Sequence, residues 1–297
     1  MGTVADVRPA TLPLADGRQG AAVRLHPLMT GTCMSPPGMA DSQGRLKNLG
    51  IGVPKEEWIR VPFVTFLVEH PVIGPIMIDT GMHPSVAVDP RGNLGWAGPL
   101  VFKDLELDTR DAAPAQLRAR GIEPASVKFV LLTHMHLDHV SATSEFAGAT
   151  FVVSDLEWEA ANAWNGVLDG YVKKQFNHAI DFRLLDFTSD ATDSFATFGR
   201  GIDLFGDGSI HAVATPGHSA GHVSYVLRLE GGEALVAGDA LTTMQTLHGD
   251  ATPWRAHDMH NFKRSVREIQ LYEKETPGAV IIPGHDFEFF QALKPVY

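Results

Sequence analysis

The segment Thr133-His134-Met135-His136-Leu137-Asp138-His139 packs three histidines and one carboxylate into six residues, directly after the apolar run Val130-Leu131-Leu132. Neutral imidazole and carboxylate are preferred ligands of Zn²⁺ and its first-row neighbours. On an extended segment, residues two apart point to the same side, so His134 and His136 can grip one ion together. Asp138 and His139, past the end of the strand, can turn toward a second ion. The pattern points to a two-metal hydrolase site.

Such side chains need strands that stop at a common edge. Asp79-Thr80-Gly81 follows the apolar run Ile76–Ile78, Thr215-Pro216-Gly217-His218 follows Ala212–Ala214, Gly238-Asp239 follows Leu235–Ala237, and Pro283-Gly284-His285 follows Val280–Ile282. Polar residues on loops at strand ends are where a scaffold usually presents function. Strands are expected over Val61–Val68, Pro75–Asp79, Val127–Leu132, Thr150–Val153, Ile202–Phe205, Ser209–Ala214, His222–Leu229, Ala234–Ala237 and Ala279–Ile282, with a hairpin turn over His70–Gly74. Helices are expected over Ala115–Arg120, from an N-cap at Ser154 to about Trp164 with Glu157 as its capping-box partner, and over Asn261–Glu275. Strands cluster in two groups with helices between or after them, so the simplest layered solution is two sheets packed face to face with helices outside. The Gly/Pro-rich stretch 34–57 reads as a long loop, and the first twenty residues as a loose arm before one domain over 21–297.

The set HMHLDH, TPGHSAGH, AGDA and PGHD, in this order and with IDTG upstream, resembles the metallo-β-lactamase superfamily over nearly the whole chain. One such piece is a moderate signal; several in order are a strong one. The resemblance implies a four-layer αββα sandwich of mixed α/β class, with the metals at one edge of the two sheets. It implies that His134, His136 and His218 hold one divalent ion, that Asp138, His139 and His285 hold another, and that Asp239 bridges them together with a hydroxide. Two ions about 3.5–4 Å apart acidify a shared water and polarise a carbonyl at once. No protein nucleophile is then needed, and Asp138 or Asp239 can pass a proton to the leaving oxygen. Asp79 and His222 are expected to fix a ligand or its loop from behind. Zn²⁺ suits these ligands, as do Fe²⁺, Mn²⁺ and Co²⁺.

Within the superfamily, VPFVTFLVEHP, IMIDTGM, TPGHSAGHVSYVL and IIPGHDFEFF resemble the N-acyl homoserine lactonase branch. The implied reaction is opening of a lactone by the bridging hydroxide; the alternative is another lactone, ester or organophosphate on the same site. Glyoxalase II-like thioesterases usually carry an extra helical C-terminal region, whereas here twelve residues follow His285. Class B β-lactamases normally have a secretion signal, and many place a cysteine where Asp239 stands. Flavodiiron proteins need an appended flavin domain. One position departs from the lactonase pattern. The branch usually has a tyrosine three residues after the bridging aspartate, where its hydroxyl helps hold the lactone carbonyl; here the residue is Thr242. Tyr171 and Tyr225 are candidates for a substitute. Apolar loops over Met82–Phe102 with Trp96, and over Trp158–Phe176 with Trp164, could line a pocket or simply cover the sandwich.

Composition agrees with a globular protein: 297 residues, 44% hydrophobic and 20% charged. A formal net charge of −11 without a Lys/Arg cluster argues against a nucleic-acid partner. No apolar run approaches a membrane span, and the N-terminus lacks the apolar stretch of a signal peptide, so a cytoplasmic protein is expected. A homodimer is compatible with the arm and the apolar loops. The single cysteine, Cys33, excludes an intrachain disulfide and reads as a loop or core residue. Lone histidines are usually structural or solvated, which assigns His26, His70, His83, His178, His211, His248, His257 and His260 away from the site.

Overall fold

The computed structural model describes residues 5–95, 98, 102–178, 181–249 and 251–297. Trp96, named above as a possible pocket residue, lies outside the described residues. Fourteen strands form two sheets among the described residues. In chain order they are β1 Asp6–Pro9, β2 Arg24–Ser35, β3 Ile59–His70, β4 Gly74–Ile78, β5 Lys103–Glu106, β6 Phe129–Leu131, β7 Thr150–Ser154, β8 Asp181–Leu185, β9 Asp193–Phe195, β10 Phe198–Asp203, β11 Ile210–Ala214, β12 Val223–Leu229, β13 Gly232–Gly238 and β14 Val280–Pro283. The eight-stranded sheet has the order β1-β8-β7-β6-β4-β3-β2-β5 and the six-stranded sheet the order β14-β13-β12-β11-β10-β9.

Alternation within the strands builds the layers. Val64, Phe66 and Val68 of β3 point into the space between the sheets, where they meet Ile202, Ile210, Tyr225, Leu227 and Val236 of the other sheet. The intervening Leu67 points outward. There, with Met77, Val130 and Phe151, it is covered by Leu117 of α1 (Ala113–Ala119) and Ala161 of α2 (Asp155–Asn162). Across the molecule, Val213, Val226 and Leu235 are covered by Phe262, Val266, Ile269 and Tyr272 of α3 (Met259–Glu275). The αββα sandwich follows, and each buried large side chain contributes on the order of 1.5–3 kcal/mol.

The residues expected as a loose arm are instead packed from residue 5 onward. β1 pairs with β8 in parallel, the N–H groups of Ala10 and Leu14 donate to Leu184 and Leu204 at 2.8 Å, and Leu12 and Leu14 pack on the inter-sheet core. Backbone pairing adds one strand to the larger sheet beyond β8, and the apolar positions that follow it anchor the segment on the core.

His70 fastens the β3–β4 hairpin to the other sheet. Its Nδ1 accepts the N–H groups of Val72 and Ile73, both at 3.2 Å, so its Nε2–H donates toward Asp207 and Ser209, each at 3.1 Å. Serine and aspartate meet the same ring nitrogen, so the trio cannot relay a proton and is structural.

Strand direction brings the functional loops to one rim. β4 and β6 are parallel, as are β13 and β14. β11 and β13 each run antiparallel to β12, and therefore in one direction. The C-terminal ends of β4 and β6 meet those of β11, β13 and β14 across the sandwich. Two bonds stitch the sheets there: Val223 N–H donates to Thr133 at 2.8 Å, and the Tyr225 hydroxyl donates to Leu132 at 2.8 Å.

Candidate metal centre

All seven residues singled out as ligands converge at this rim. Three overlapping groups have ligand atoms within 4.8 Å of one another: His134, His136 and His218; His134, His139 and Asp239; and Asp138, His139 and His285. Asp239 lies at the centre. Its Oδ2 is 3.2 Å from His218 Nε2, 3.1 Å from His285 Nε2 and 3.9 Å from His134 Nε2, while its Oδ1 is 3.4 Å from His139 Nε2. Asp138 Oδ2 lies 3.6 Å from both His139 Nε2 and His285 Nε2.

The residues behind the ligands determine which ring nitrogen is free. Asp79 accepts the Thr133 N–H at 2.8 Å and the Thr133 hydroxyl at 2.7 Å, and its Oδ2 lies 2.8 Å from His139 Nδ1. His139 therefore carries its proton on Nδ1 and turns the Nε2 lone pair inward. Thr133 spends its only hydroxyl proton on Asp79, so His134 Nδ1, 3.0 Å away, is the donor of that pair. The Nε2 of His134 also faces inward. His285 Nδ1 lies 3.1 Å from the Pro62 carbonyl, which can only accept, and the same conclusion holds. This use of the second imidazole nitrogen is typical of metal-ligating histidines.

His222 is not a ligand. Its Nε2 accepts the Asp239 backbone N–H at 3.0 Å, so its Nδ1–H donates to Thr215 Oγ1 at 2.9 Å. Thr215 in turn meets Ser224 Oγ at 2.8 Å, and Ser224 donates to the Ala237 carbonyl at 3.0 Å. Burial, with the nearby His218, lowers His222 to about 3, so it stays neutral while it holds the backbone of Asp239. Gly238, at φ 53°, permits this contact; a Cβ there would stand 2.8 Å from His222 Nε2.

Electrostatics and hydrogen bonding both call for positive charge between these groups. His134 Nε2, His139 Nε2 and Asp239 Oδ1 are buried without a hydrogen-bond partner. Against its burial, Asp239 and Asp138 raise His285, so the carboxylates of the nest draw a positive charge toward His139 and His285, and the Nε2 atoms of both rings face Asp239. Burial, and then neighbouring imidazoles, hold His134 and His136 well below the usual histidine range. Burial opposes charge on His139 as well, yet Asp138, Asp239 and Asp79 draw it well upward. Burial would raise Asp239, but His285, His218 and His139 hold it well below the usual carboxylate range. A buried nest of imidazole and carboxylate donors fits divalent cations.

The neighbouring candidates resolve differently. Thr242 is 4% exposed, and its carbonyl accepts the His285 N–H at 2.9 Å. The Tyr225 hydroxyl is spent on Leu132, and the Tyr171 hydroxyl donates to Glu157 at 3.0 Å. Neither tyrosine offers a free hydroxyl in place of the one the lactonase pattern puts at 242. Trp164 is 93% exposed, and Trp158 packs on the core beside Phe182. Cys33 is buried, and burial together with Asp138 pushes its thiol up, so it is no nucleophile. No helix among the described residues is long and apolar enough to cross a membrane.

Fold and site together define a class: residues 64–285 match the family model of the metallo-beta-lactamase superfamily, and the chain belongs to that superfamily. Among curated relatives it is 34% identical to N-acyl homoserine lactonase AttM of Azorhizobium caulinodans, over 83% of this chain and 89% of the relative. It is 33% identical to N-acyl homoserine lactonase AttM of Agrobacterium fabrum, over 89% of this chain and 93% of the relative. A solved N-acyl homoserine lactone hydrolase, with the product N-hexanoyl-L-homoserine at its catalytic metal centre, superposes with a TM-score of 0.72 at 22% identity, covering 91% of this chain and 96% of the other. AidC, a dizinc quorum-quenching lactonase, superposes with a TM-score of 0.61 at 15% identity, covering 92% and 91%. At these identities the two structures speak to the fold alone.

Proposed function

We propose that the chain is a dinuclear metal-dependent hydrolase that opens N-acyl homoserine lactones, as its AttM relatives are named for doing. The observation that carries the reading is the position of Asp239, whose carboxylate lies 3.2 Å from His218 of one group and 3.4 and 3.1 Å from His139 and His285 of the other. His134, His136 and His218 would hold one ion, Asp138, His139 and His285 the other, and Asp239 would lie between them. Zn²⁺ fits this N/O donor set, and Fe²⁺, Mn²⁺ or Co²⁺ fit it as well. Bound there, two divalent cations supply Lewis-acid polarisation of the ester carbonyl and acidify a water at neutral pH.

The chain's own groups do the rest. Asp79, Thr133 and Pro62 keep imidazole lone pairs turned inward, which saves reorganisation during turnover. Asp239 is enclosed by imidazoles, whereas the Asp138 side chain is 11% exposed. Asp138 is thus the freer carboxylate to carry a proton to the leaving alkoxide oxygen. Burial of the nest keeps bulk water from competing for the donors.

The test is release of one acid equivalent per N-hexanoyl-homoserine lactone, followed at constant pH with metal-loaded protein. Asp239→Asn should lose the activity. A second reading, hydrolysis of a different lactone, ester or phosphotriester, is favoured by Thr242 and by the spent hydroxyls of Tyr171 and Tyr225. Faster turnover of an aryl ester, a simple lactone or a phosphotriester would replace the first reading with this one.

A further inference from the structure

Glu157 is 0% exposed and sits in the first turn of α2, where Ser154 Oγ caps its N–H at 3.1 Å. The capping-box reading has its carboxylate reach back to that cap. Instead it makes four other bonds. Oε1 accepts the Met135 N–H at 2.9 Å and the Tyr171 hydroxyl at 3.0 Å. Oε2 accepts the Ser219 hydroxyl at 2.7 Å and the Gly221 N–H at 3.0 Å.

These partners share a position. Met135 separates His134 from His136, Ser219 follows His218, and Gly221 precedes His222. The Tyr171 ring lies 5.1 Å from the ring of His136. One carboxylate therefore ties a loop of one sheet to a loop of the other, at the two places that present His134, His136 and His218. No such bond reaches Asp138, His139 or His285 among the described residues. The seat is tight as well: a Cβ on Gly221 would fall 2.1 Å from Ser154 Oγ and 2.3 Å from Glu157 N.

We propose that Glu157 is a positioning residue for the His134/His136/His218 group alone, which makes the affinities of the two metal positions separately adjustable. The inference rests on the two-ion reading above. Its chemistry requires acceptors at both oxygens. A glutamine there must turn its NH₂ toward either Met135 N–H or Gly221 N–H, donor against donor, and it loses one backbone bond in either orientation. Loss of an outer partner typically costs about 10–100-fold in metal affinity.

The experiment measures Zn²⁺ and Co²⁺ stoichiometry of the full chain against graded chelator, with Co²⁺ absorption as the spectroscopic readout. Wild type should hold two ions. Glu157→Gln should release one ion at roughly 10-fold or more lower chelator strength, keep the other unchanged, and lose the corresponding Co²⁺ band. Ala161→Gly, which weakens the same helix without touching the carboxylate, should release both ions as wild type does. Ser219→Ala and Tyr171→Phe each remove one bond, should give intermediate losses, and carry the test if Glu157→Gln does not fold. Equal release from wild type and Glu157→Gln, or selective release from Ala161→Gly, overturns the proposal. A wild type that binds fewer than two ions overturns the two-ion reading itself.

Discussion

At the scale of single residues, the centre depends on groups that never touch its interior. Asp79 is the clearest. Residues 133–139 supply four of the seven donors, and Asp79 fixes that segment through Thr133 as well as the tautomer of His139. Asparagine at 79 can keep some of these bonds but must present NH₂ to the Thr133 N–H or to the His139 and Thr133 donors. Asp79→Asn should weaken metal binding about 10–100-fold, chiefly at the Asp138/His139/His285 group. Competition with a chromophoric chelator measures this directly, and undiminished affinity would remove Asp79 from the account. The seven candidate donors and Asp79, which the structure brings to one rim, are legible in the sequence because their types and spacing carry chemistry locally. Glu157 is not, since Ser154-x-x-Glu157 satisfies a local pattern while the carboxylate spends itself on partners up to 64 positions away.

At the scale of elements, strand ends carry the site, and the strands that feed it were the readable ones. β4, β6, β11, β13 and β14 are short apolar runs bounded by turn residues. β2, which pairs with β3 along most of its length, went unread because Pro27 and Gly31 interrupt it and its register shifts between Met29 and Gly31. β1 carries charge at Asp6 and Arg8 and is short, and β8 mixes Asp181 and Arg183 with apolar residues; pairing of β8 with β7 on one side and β1 on the other makes strands of them. Helix α3 has a positional duty too. The N–H groups of His257 and Asp258 donate to His218 at 3.0 Å and Gly217 at 2.9 Å, which docks the start of the helix on the turn that bears His218. Gly217 has φ 133°, and a Cβ there would fall 2.1 Å from Phe262 N. Gly217→Ala must therefore push α3 off that turn. A stability loss of about 2–3 kcal/mol is expected from overpacking, together with displacement of His218 and loss of ion affinity. Urea unfolding of the metal-free protein isolates the first effect, and a midpoint equal to wild type would contradict the close packing.

At the scale of the whole molecule, the donors are divided between the sheets. His134, His136, Asp138 and His139 follow β6 of the larger sheet, whereas His218, Asp239 and His285 follow strands of the smaller one. Ions held by both sets would cross-link the two halves of the sandwich at its rim. Without them, His139 and His285 lie 3.4 and 3.1 Å from Asp239 across a buried space, and only these contacts join the two sets of donors there. Ligand binding to the folded state alone adds about 2.7 kcal/mol per site when the free ion is 100-fold above its Kd. At about 2–4 °C per kcal/mol for a protein of this size, stripping one site should lower Tm by roughly 5–10 °C, and stripping both by more. Scanning calorimetry with and without chelator, with metal content measured on the same samples, checks this. Readdition of Zn²⁺ should restore the transition. A Tm that stays fixed while the ions leave would mean that the rim is held by protein contacts alone, such as Val223 to Thr133 and Tyr225 to Leu132. The nest would then be a preformed site rather than a brace, its buried polar groups held in place by the inter-sheet core behind them.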